Sequence, residues 1–282
     1  FVLFTSYANL NAVAERLAAR YGEQTERLAD IAVLFEVARD GVRAAEYWNR
    51  AAQAAGRLYA HDESARLAQR GLSLLANEPN SPARATAELG LQMTYALAIK
   101  TSKGYAVPEV GRAYERAREL SRQVEDPSRV IPVLIGMSAH HMVSGEIRIA
   151  HDISQEMLAL FERLGDPHLQ MIGEWSVGAA LFHLGALEAG HQHLETALTM
   201  YDPAFHGVRV WQTGIEPGLF CRCELSRTTT LRGFPDTGLA LVQRAVADAR
   251  AIDHPQPLAF ALLFEIIVHL ARRTPRDVQR TY

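Results

Sequence analysis

Three segments of this sequence share one spacing between a glycine and a second residue with a minimal side chain. In each segment the second residue follows five positions after the glycine, in the pairs Gly145/Ala150, Gly185/Gly190 and Gly233/Gly238. The three glycines are separated by 40 and 48 residues, a period typical of one supersecondary unit per repeat and far longer than a heptad. This repetition predicts a solenoid, an array of stacked units in which each unit buries its apolar face against its neighbours.

The pattern of apolar residues within these units is helical almost throughout. Apolar positions recur at the helical period, and the alternation that indicates strands is nearly absent. The pattern therefore predicts helices that pair into antiparallel hairpins, about six in number. Their predicted ranges are 9–21, 24–39, 42–59, 62–76, 82–101, 108–124, 128–144, 147–163, 168–184, 187–200, 216–231, 235–252, 257–272 and from 275 onward.

Residue types at the predicted helix ends support this assignment. Asp126 and Asp166 each precede a proline, so that a side-chain acceptor caps a helix whose first position needs no N–H donor. Gly145 and Gly185 follow the same helices where the chain must reverse, in a left-handed conformation that glycine adopts at low cost. Small residues such as Ala150 on the next helix would let the paired helices approach to about 8–10 Å.

The composition bounds the class of protein. A chain of 282 residues, 48% of them hydrophobic, can bury a sizeable core. Its formal net charge of −3 leaves no excess of positive charge for a polyanion, which argues against nucleic acid as the main partner. Cys221 and Cys223 are too few for a disulfide framework, so we expect a reducing compartment, the cytoplasm.

No segment of the sequence indicates a membrane span or a secretion signal. The longest apolar run, 257–271, is interrupted by Glu265 and His269 and is too short to cross a hydrocarbon core of about 30 Å. The chain begins at Phe1 without the basic region of a signal peptide. We therefore expect no membrane partner and interpret the chain as a piece of a longer protein.

One unit resembles the tetratricopeptide repeat (TPR), a helix hairpin of about 34 residues. The resemblance is carried by small and apolar residues between Gly173 and Pro203, namely Gly178, Gly185, Gly190, Leu194 and Ala197. Met157 departs from it, because it stands where Ala197 would predict a small residue. The resemblance implies an all-α fold, a TPR-like right-handed superhelical solenoid of antiparallel helix hairpins; a generic helical bundle is the alternative.

Further strings are similar to the C-terminal helical region of large predicted bacterial ATPases of the AAA/STAND type. They are KGYAVPEVGRAY at 103–114, YDP at 201–203, GIEPG at 214–218, AEYWNRA at 45–51 and RGLSLL at 70–75. In that family the ATPase often follows a class III adenylate or guanylate cyclase domain or a protein kinase domain. The resemblance implies that residues 1–40 are lead-in helices from an upstream ATPase region, and that 41–282 form a TPR-like array that regulates such domains.

The sequence contains none of the motifs that would indicate an enzyme. A phosphate-binding loop needs a lysine after its glycines, and neither Lys100 nor Lys103 has that context; nucleophile-elbow and zinc-helix motifs are also missing. Eleven histidines leave a metal-dependent enzyme as a minor alternative. However, His191 and His193 are two apart on a predicted helix and point to nearly opposite sides. We predict no catalytic residue, no metal site and no cofactor.

The TPR resemblance also implies which residues meet a partner, because the first helix of each TPR hairpin lines the inner curve. Counting back from each corner glycine places a partner-contacting strip on these helices: Ile135, Ala139, Met142, Trp175, Phe182, His183, Cys223 and Arg227. Residues 203–214 form an insertion whose aromatic residues, Phe205 and Trp211, are loop candidates for the same face. An apolar strip with an arginine at one end suits an amphipathic helix or an extended peptide.

Two functions stay open at this point. We expect a non-catalytic scaffold that binds a protein or peptide as the regulatory or sensor arm of a multidomain bacterial signalling protein, whose ATPase or cyclase domains are candidate intramolecular partners. The alternative is a domain that senses a small-molecule effector in an apolar pocket near Trp175 and Phe182. Core packing alone would also explain those two residues, whereas we expect Arg227 to be exposed because an unpaired buried charge is costly.

Overall fold

The fold of this chain is all-α. The computed structural model describes residues 7–22, 24–124, 127–202, 216–252 and 255–273. Thirteen α-helices and one 3-10 turn lie in these ranges, and no strand does. The all-α class predicted from the sequence is therefore confirmed, while the predicted final helix from 275 onward lies outside the described residues. The chain divides into two compact units, 1–144 and 145–282.

Seven helices lie in the described residues of the first unit. They are α1 (Tyr7–Tyr21), α2 (Leu28–Val37) with the 3-10 turn Thr25–Arg27 before it, α3 (Gly41–Arg57), α4 (His61–Leu75), α5 (Pro82–Lys103), α6 (Pro108–Ser121) and α7 (Pro127–Val143). Each helix packs on the next one along the chain, and α3 also packs on α5. This nearest-neighbour packing is the arrangement expected of a helical repeat.

One continuous apolar core runs through the first five of these helices. Phe35 of α2, Trp48 of α3, Leu75 of α4 and Leu91 of α5 are all buried in it, together with Ala14 of α1. The helices before residue 40 thus bury their apolar faces on the helices after it. Their predicted role as a lead-in from an upstream region stays a prediction.

Six helices lie in the described part of the second unit, with the same order of packing. They are α8 (Ile147–Leu164), α9 (Pro167–His183), α10 (Leu187–Thr199), α11 (Pro217–Leu231), α12 (Pro235–Ile252) and α13 (Pro255–Ala271). Consecutive helices pack in pairs, and α11 also contacts α9 and α13. The three helices α9, α11 and α13 therefore share one side of this unit.

The glycine corners predicted from the repeat are present. Gly145, Gly185 and Gly233 have φ angles of 81°, 82° and 99°, the left-handed region where glycine carries no steric penalty. After Gly185 and Gly233, the next N–H donates to the carbonyl five residues back, at 3.0 and 3.2 Å. This bond satisfies a carbonyl that the end of the helix leaves free.

Two further corners have the same geometry without glycine. Arg39 and Tyr59 adopt φ angles of 61° and 60°, and the N–H of the following residue again donates to the carbonyl five positions before it, at 3.0 Å. A left-handed conformation costs a non-glycine residue about 1–2 kcal/mol. The packing of α2 on α3 and of α3 on α4 must offset that cost. Because neither corner has a glycine at its left-handed position, the glycine spacing in the sequence did not predict them.

The predicted N-cap at Asp166 is confirmed. Its carboxylate accepts hydrogen bonds from the backbone N–H groups of His168 and Leu169, at 2.9 and 3.3 Å, directly before the proline that begins α9. The corresponding prediction for Asp126 lies outside the described residues.

Small residues let α9 and α10 approach closely. A Cβ atom added to Gly178 would lie 2.9 Å from the carbonyl oxygen of Gly190, and one added to Gly190 would lie 2.9 Å from the carbonyl oxygen of Gly178. Ala197, further along α10, is fully buried. The prediction that these positions were small because two helices meet there is therefore confirmed for this hairpin.

None of the described helices combines the length and the apolar character that a membrane crossing requires.

Candidate functional site

The predicted strip of partner-contacting residues is distributed over both units. Ile135, Ala139 and Met142 lie on α7 of the first unit, and all three are half-buried. The remaining predicted residues lie on α9 and α11 of the second unit. The loop candidates Phe205 and Trp211 lie outside the described residues.

In the second unit, helices α9, α11 and α13 bring a set of aromatic and charged side chains together. We call this set the Arg227 cluster; its members are Trp175, Phe182, His183, Phe220, Glu224, Arg227, Phe260 and Phe264. Five of these residues lie on the helix faces that the sequence predicts to line the inner curve: Trp175, Phe182, His183 and Arg227 belong to the predicted strip, and Phe220 lies three positions before Cys223 on the same helix. The cluster joins side chains that are up to 89 positions apart, from Trp175 to Phe264.

Four aromatic rings of the cluster form a chain of contacts, which we call the aromatic stack: Trp175, Phe220, Phe260 and Phe264. The ring centroids of Phe220 and Phe260 are 3.9 Å apart with an interplanar angle of 14°, and Phe260 lies 4.6 Å from Phe264. Trp175 meets Phe220 edge to face at 6.0 Å. Such pairs contribute roughly 0.5–1.5 kcal/mol each beyond the burial of their area, so the stack holds α9, α11 and α13 in register.

Arg227 lies between two aromatic rings of the cluster. Its guanidinium carbon is 3.7 Å from the ring centroid of Phe182 and 5.2 Å from that of Phe264. One guanidinium nitrogen, Nη2, also donates to the carboxylate of Glu224 and, at 3.2 Å, to Nε2 of His183. The planar cation is thus held by aromatic faces above its plane and by acceptors at its edge.

The expectation that Arg227 is exposed is wrong. Its side chain is only 14% exposed, and that of Glu224, three positions earlier on α11, is 12% exposed. The expectation assumed an unpaired charge, but the structure pairs the two charges, and a paired charge is tolerated in the interior where an isolated one is not.

Burial shifts the proton affinities of this group. The pKa of the Glu224 carboxyl is raised because burial disfavours its charge, although Arg227 partly offsets this effect. Burial likewise lowers the pKa of Arg227, and burial together with the charge of Arg227 lowers the pKa of His183. His183 is therefore held neutral, as its role of acceptor for the arginine requires.

Two N–H donors of the cluster have no acceptor among the described residues. They are the indole Nε1 of Trp175 and the Nε of Arg227, and both atoms are buried. A buried donor without a partner costs about 1–3 kcal/mol, so native proteins rarely keep one without a reason. Trp175 and Phe182 are only half-buried and His183 is exposed, so these donors lie next to accessible surface.

Cys223 occupies a different position from the rest of the predicted strip. It is fully buried, in the same apolar core as Leu219, Val242 and Phe264. A side chain in this position shapes the surface from below and does not touch a partner directly.

We expect both cysteines to be inert in the folded chain. Cys221 and Cys223 are both fully buried free thiols, and burial raises the pKa of each well above its usual range. Since the thiolate is the reactive species, a thiol-disulfide reagent should label neither residue in the native chain and both after unfolding in urea. Rapid labelling of either thiol in the native chain would show that α11 opens locally.

The histidines among the described residues do not converge on a metal site. His191 pairs with Glu195 at 3.3 Å, whereas His193 pairs with Glu174 at 2.5 Å, so the two rings have separate partners as their spacing predicted. No group of three or more histidine, cysteine, aspartate or glutamate residues close enough to hold a metal ion occurs in the described part of the chain.

Sequence reasoning missed three members of the Arg227 cluster. Glu224 precedes Arg227 by three positions, a spacing that places oppositely charged residues on one helix face and could have predicted the pair. Phe260 and Phe264 are four apart in the apolar run 257–271, which the sequence predicts to form a helix but does not place on the partner-contacting face. No signal in the sequence showed that this run faces Arg227.

Two bonded side chains flank the predicted insertion 203–214, which itself lies outside the described residues. The hydroxyl of Tyr201 donates to Glu216 Oε1 at 2.5 Å. The other carboxylate oxygen of Glu216 accepts from the backbone N–H of Leu219 and so caps α11. These contacts join the end of α10 to the start of α11, the helix that carries Phe220, Glu224 and Arg227 of the Arg227 cluster.

Neither a known protein-family model nor a curated protein matches this sequence. Solved structures do match. One is a signal transduction ATPase with numerous domains (STAND) from Pyrococcus horikoshii with a tetratricopeptide repeat sensor, at 14% identity and a TM-score of 0.62; the match covers 96% of this chain but 43% of that one. The chain thus spans less than half of the STAND protein.

Two Rap proteins are similar as well. A Rap protein complexed with competence and sporulation factor matches at 10% identity and a TM-score of 0.58, over 90% of this chain and 68% of that one. The apo form of RapI matches at 12% identity and a TM-score of 0.60, over 98% and 82%. At such low identity these likenesses concern the fold alone, and they show that this chain has an all-α, TPR-like helical-repeat fold.

Proposed function

We propose that this chain is a regulatory or sensor module that binds a peptide or a protein segment at the Arg227 cluster. The observation that carries this proposal is the pair of buried donors, Trp175 Nε1 and Arg227 Nε, that lack an acceptor beside half-exposed aromatic rings. A peptide backbone offers a carbonyl acceptor at every residue, and aromatic side chains with an arginine are the residue types that dominate binding energies at protein interfaces.

The comparisons support this proposal without deciding it. One similar structure contains a TPR sensor within a STAND ATPase, and another is a Rap protein in complex with a factor. We infer that this chain likewise serves a larger bacterial protein, as the sequence resemblance implies, and that an ATPase or cyclase domain of the same polypeptide is its regulated partner. In this proposal the chain itself performs no catalysis and acts in the cytoplasm.

Replacing Trp175 with phenylalanine tests the proposed contact. The substitution keeps an aromatic ring beside Phe220 but removes the indole N–H. One hydrogen bond contributes about 0.5–1.5 kcal/mol, so the Kd for a bound peptide should rise about threefold to tenfold. The peptides would come from a displayed random library selected against the wild-type chain, and their affinities would be measured by fluorescence anisotropy.

Trp48 provides a matched control in the first unit. Its indole Nε1 is also buried without an acceptor among the described residues, so Trp48→Phe makes the same chemical change outside the Arg227 cluster. We expect this variant to bind the selected peptides like the wild type. If both variants lost affinity equally, or if selection returned no peptide, the proposed peptide site would be rejected.

A small-molecule effector is the second candidate for the same site. It is favoured by the unpaired donors at the edge of an aromatic stack, because small-molecule sites combine apolar walls with a few polar groups. A metabolite bound only by the folded chain would raise its melting temperature. A metabolite whose effect is lost in Trp175→Phe and kept in Trp48→Phe would replace the peptide as the ligand.

A further inference from the structure

The chain has two lysines, Lys100 and Lys103, and their surroundings differ. Lys103 is 54% exposed, and its Nζ lies 4.0 Å from Oε1 of Glu109. Lys100 is half-buried in the last turn of α5. Among the described residues, no carboxylate lies within 4.0 Å of its Nζ. One lysine therefore has an ordinary surface pair, while the other is partly removed from water without a counter-ion.

The Lys100 ammonium lies over an aromatic ring. Its Nζ is 5.1 Å from the ring centroid of Tyr105, a favourable but incomplete compensation for its charge. It donates no hydrogen bond to another described residue, so the free carbonyls at the end of α5 do not bind it. Burial accordingly lowers the pKa of Lys100.

Two phenol groups belong to the same neighbourhood. The carbonyl of Tyr105 accepts a hydrogen bond from His140 Nδ1 at 2.7 Å, which ties the corner between α5 and α6 to α7. The ring of Tyr114 lies against Gly136, where an added Cβ atom would come within 2.3 Å of it. Both residues are thus held by contacts with α7, Tyr105 through its backbone carbonyl and Tyr114 through its ring.

Neither phenol has a hydrogen-bond acceptor among the residues that the structure describes. Burial raises the pKa of Tyr105 and that of Tyr114, and the proximity of Tyr105 raises that of Tyr114 further. Both hydroxyl groups are therefore protonated at neutral pH. The two residues are neighbours on the same side of α7, because Tyr105 is bonded to His140 and Tyr114 lies against Gly136, one helical turn earlier. Neither makes a hydrogen bond to another residue of the described part of the chain.

An ammonium and two hydroxyl donors without an acceptor complement an anionic oxygen group. We propose that Lys100, Tyr105 and Tyr114 form a binding site in the first unit for a carboxylate or a phosphate group. The site lies within residues 1–144 and is independent of the function proposed for the Arg227 cluster in the second unit. Its ligand supplies the negative charge and the acceptors that the described residues do not.

The two lysines make the test unusually direct. Lysine labelled with ¹³C at the ε position gives two side-chain signals in the folded chain, which Lys100→Arg and Lys103→Arg assign. The probes are acetate, inorganic phosphate, and tetraglycine with a free or an amidated C-terminus, each at constant ionic strength. We expect the Lys100 signal to shift saturably, with a Kd of about 1 mM or lower, and the Lys103 signal to stay in place.

The arms of the titration distinguish the sources of the anion. Preference for phosphate indicates a phosphate ester, whereas a response to free but not to amidated tetraglycine indicates a peptide terminus. Tyr105→Phe should weaken binding about threefold to tenfold, as expected for one hydrogen bond, and Tyr59→Phe, at a tyrosine that is 73% exposed, should not. Equal shifts of both lysine signals, or no saturable shift with any probe, would overturn the proposal.

Discussion

Replacing Arg227 with methionine is expected to lower the free energy of unfolding by about 3 kcal/mol. Removing one partner of a buried ion pair costs roughly 3–5 kcal/mol, because the remaining charge is left without compensation. The side chains of Arg227 and Glu224 are 14% and 12% exposed, so most of this cost applies. The variant also loses the contact of the guanidinium with the ring of Phe182. Urea denaturation followed by circular dichroism measures the change.

A second ion pair in the chain provides the control. Glu63 and Arg66 have the same order and the same spacing on α4 as Glu224 and Arg227 on α11, but their side chains are 45% and 63% exposed. Exposed pairs contribute about 0–1 kcal/mol, so Arg66→Met should change the free energy of unfolding very little. A loss as small for Arg227→Met would show that the pair in the cluster is not buried in solution.

The double variant Glu224→Leu with Arg227→Met removes both charges of the pair. Because it leaves no charge uncompensated, it should recover most of the stability lost in Arg227→Met. The same variant should no longer bind a peptide that wild-type Arg227 orients. Recovered stability with unchanged peptide affinity would contradict the role proposed for this arginine.

Replacing Gly178 with alanine is expected to destabilise the chain by about 2 kcal/mol. The added Cβ would lie 2.8 Å from Cγ of Leu194 and 2.9 Å from the carbonyl oxygen of Gly190. The backbone atom cannot move without separating α9 from α10, and overpacking of this kind costs typically about 1–3 kcal/mol. The same urea titration measures it.

Gly56 provides the opposite outcome for the same substitution. It lies in α3 near its end, and an added Cβ would meet only the side chain of Ser64, at 3.5 Å from Oγ and 4.0 Å from Cβ, which is ordinary van der Waals contact. Since alanine favours the helix over glycine and restricts the unfolded chain, Gly56→Ala should stabilise the chain by about 0.5 kcal/mol. If Gly178→Ala stabilised the chain as well, helix propensity would outweigh close packing at this position, and the clash with the carbonyl of Gly190 would be rejected.

The candidate site was only partly accessible from the sequence. Trp175, Phe182, His183 and Arg227 could be chosen because the TPR resemblance implies which helix of a hairpin faces inward, and the structure brings these four together. The same counting also selected Cys223, which is fully buried. The fixed angle per residue in a helix predicts the face on which a side chain lies. The sequence does not predict how much of that face the neighbouring helices bury.

Local signals in the sequence are sufficient to predict the helices and three of their corners. The apolar period, the Asp166 cap and the left-handed glycines act within a few residues of one another, so their effect on the backbone is local. The corners at Arg39 and Tyr59 depend on tertiary contacts, because the packing of the flanking helices compensates for the unfavourable backbone conformation of these two residues.

The contacts between charges and rings in the second unit likewise depend on the tertiary structure. Arg227 is stable in a mostly buried position because Phe182 of α9, Glu224 of α11 and Phe264 of α13 converge on it. The free energy of a buried charge depends on what surrounds it in space, and these neighbours come from three helices that are well separated along the chain. Local patterns in the sequence specify which faces are apolar, whereas the environment of a charge exists only once those faces have met.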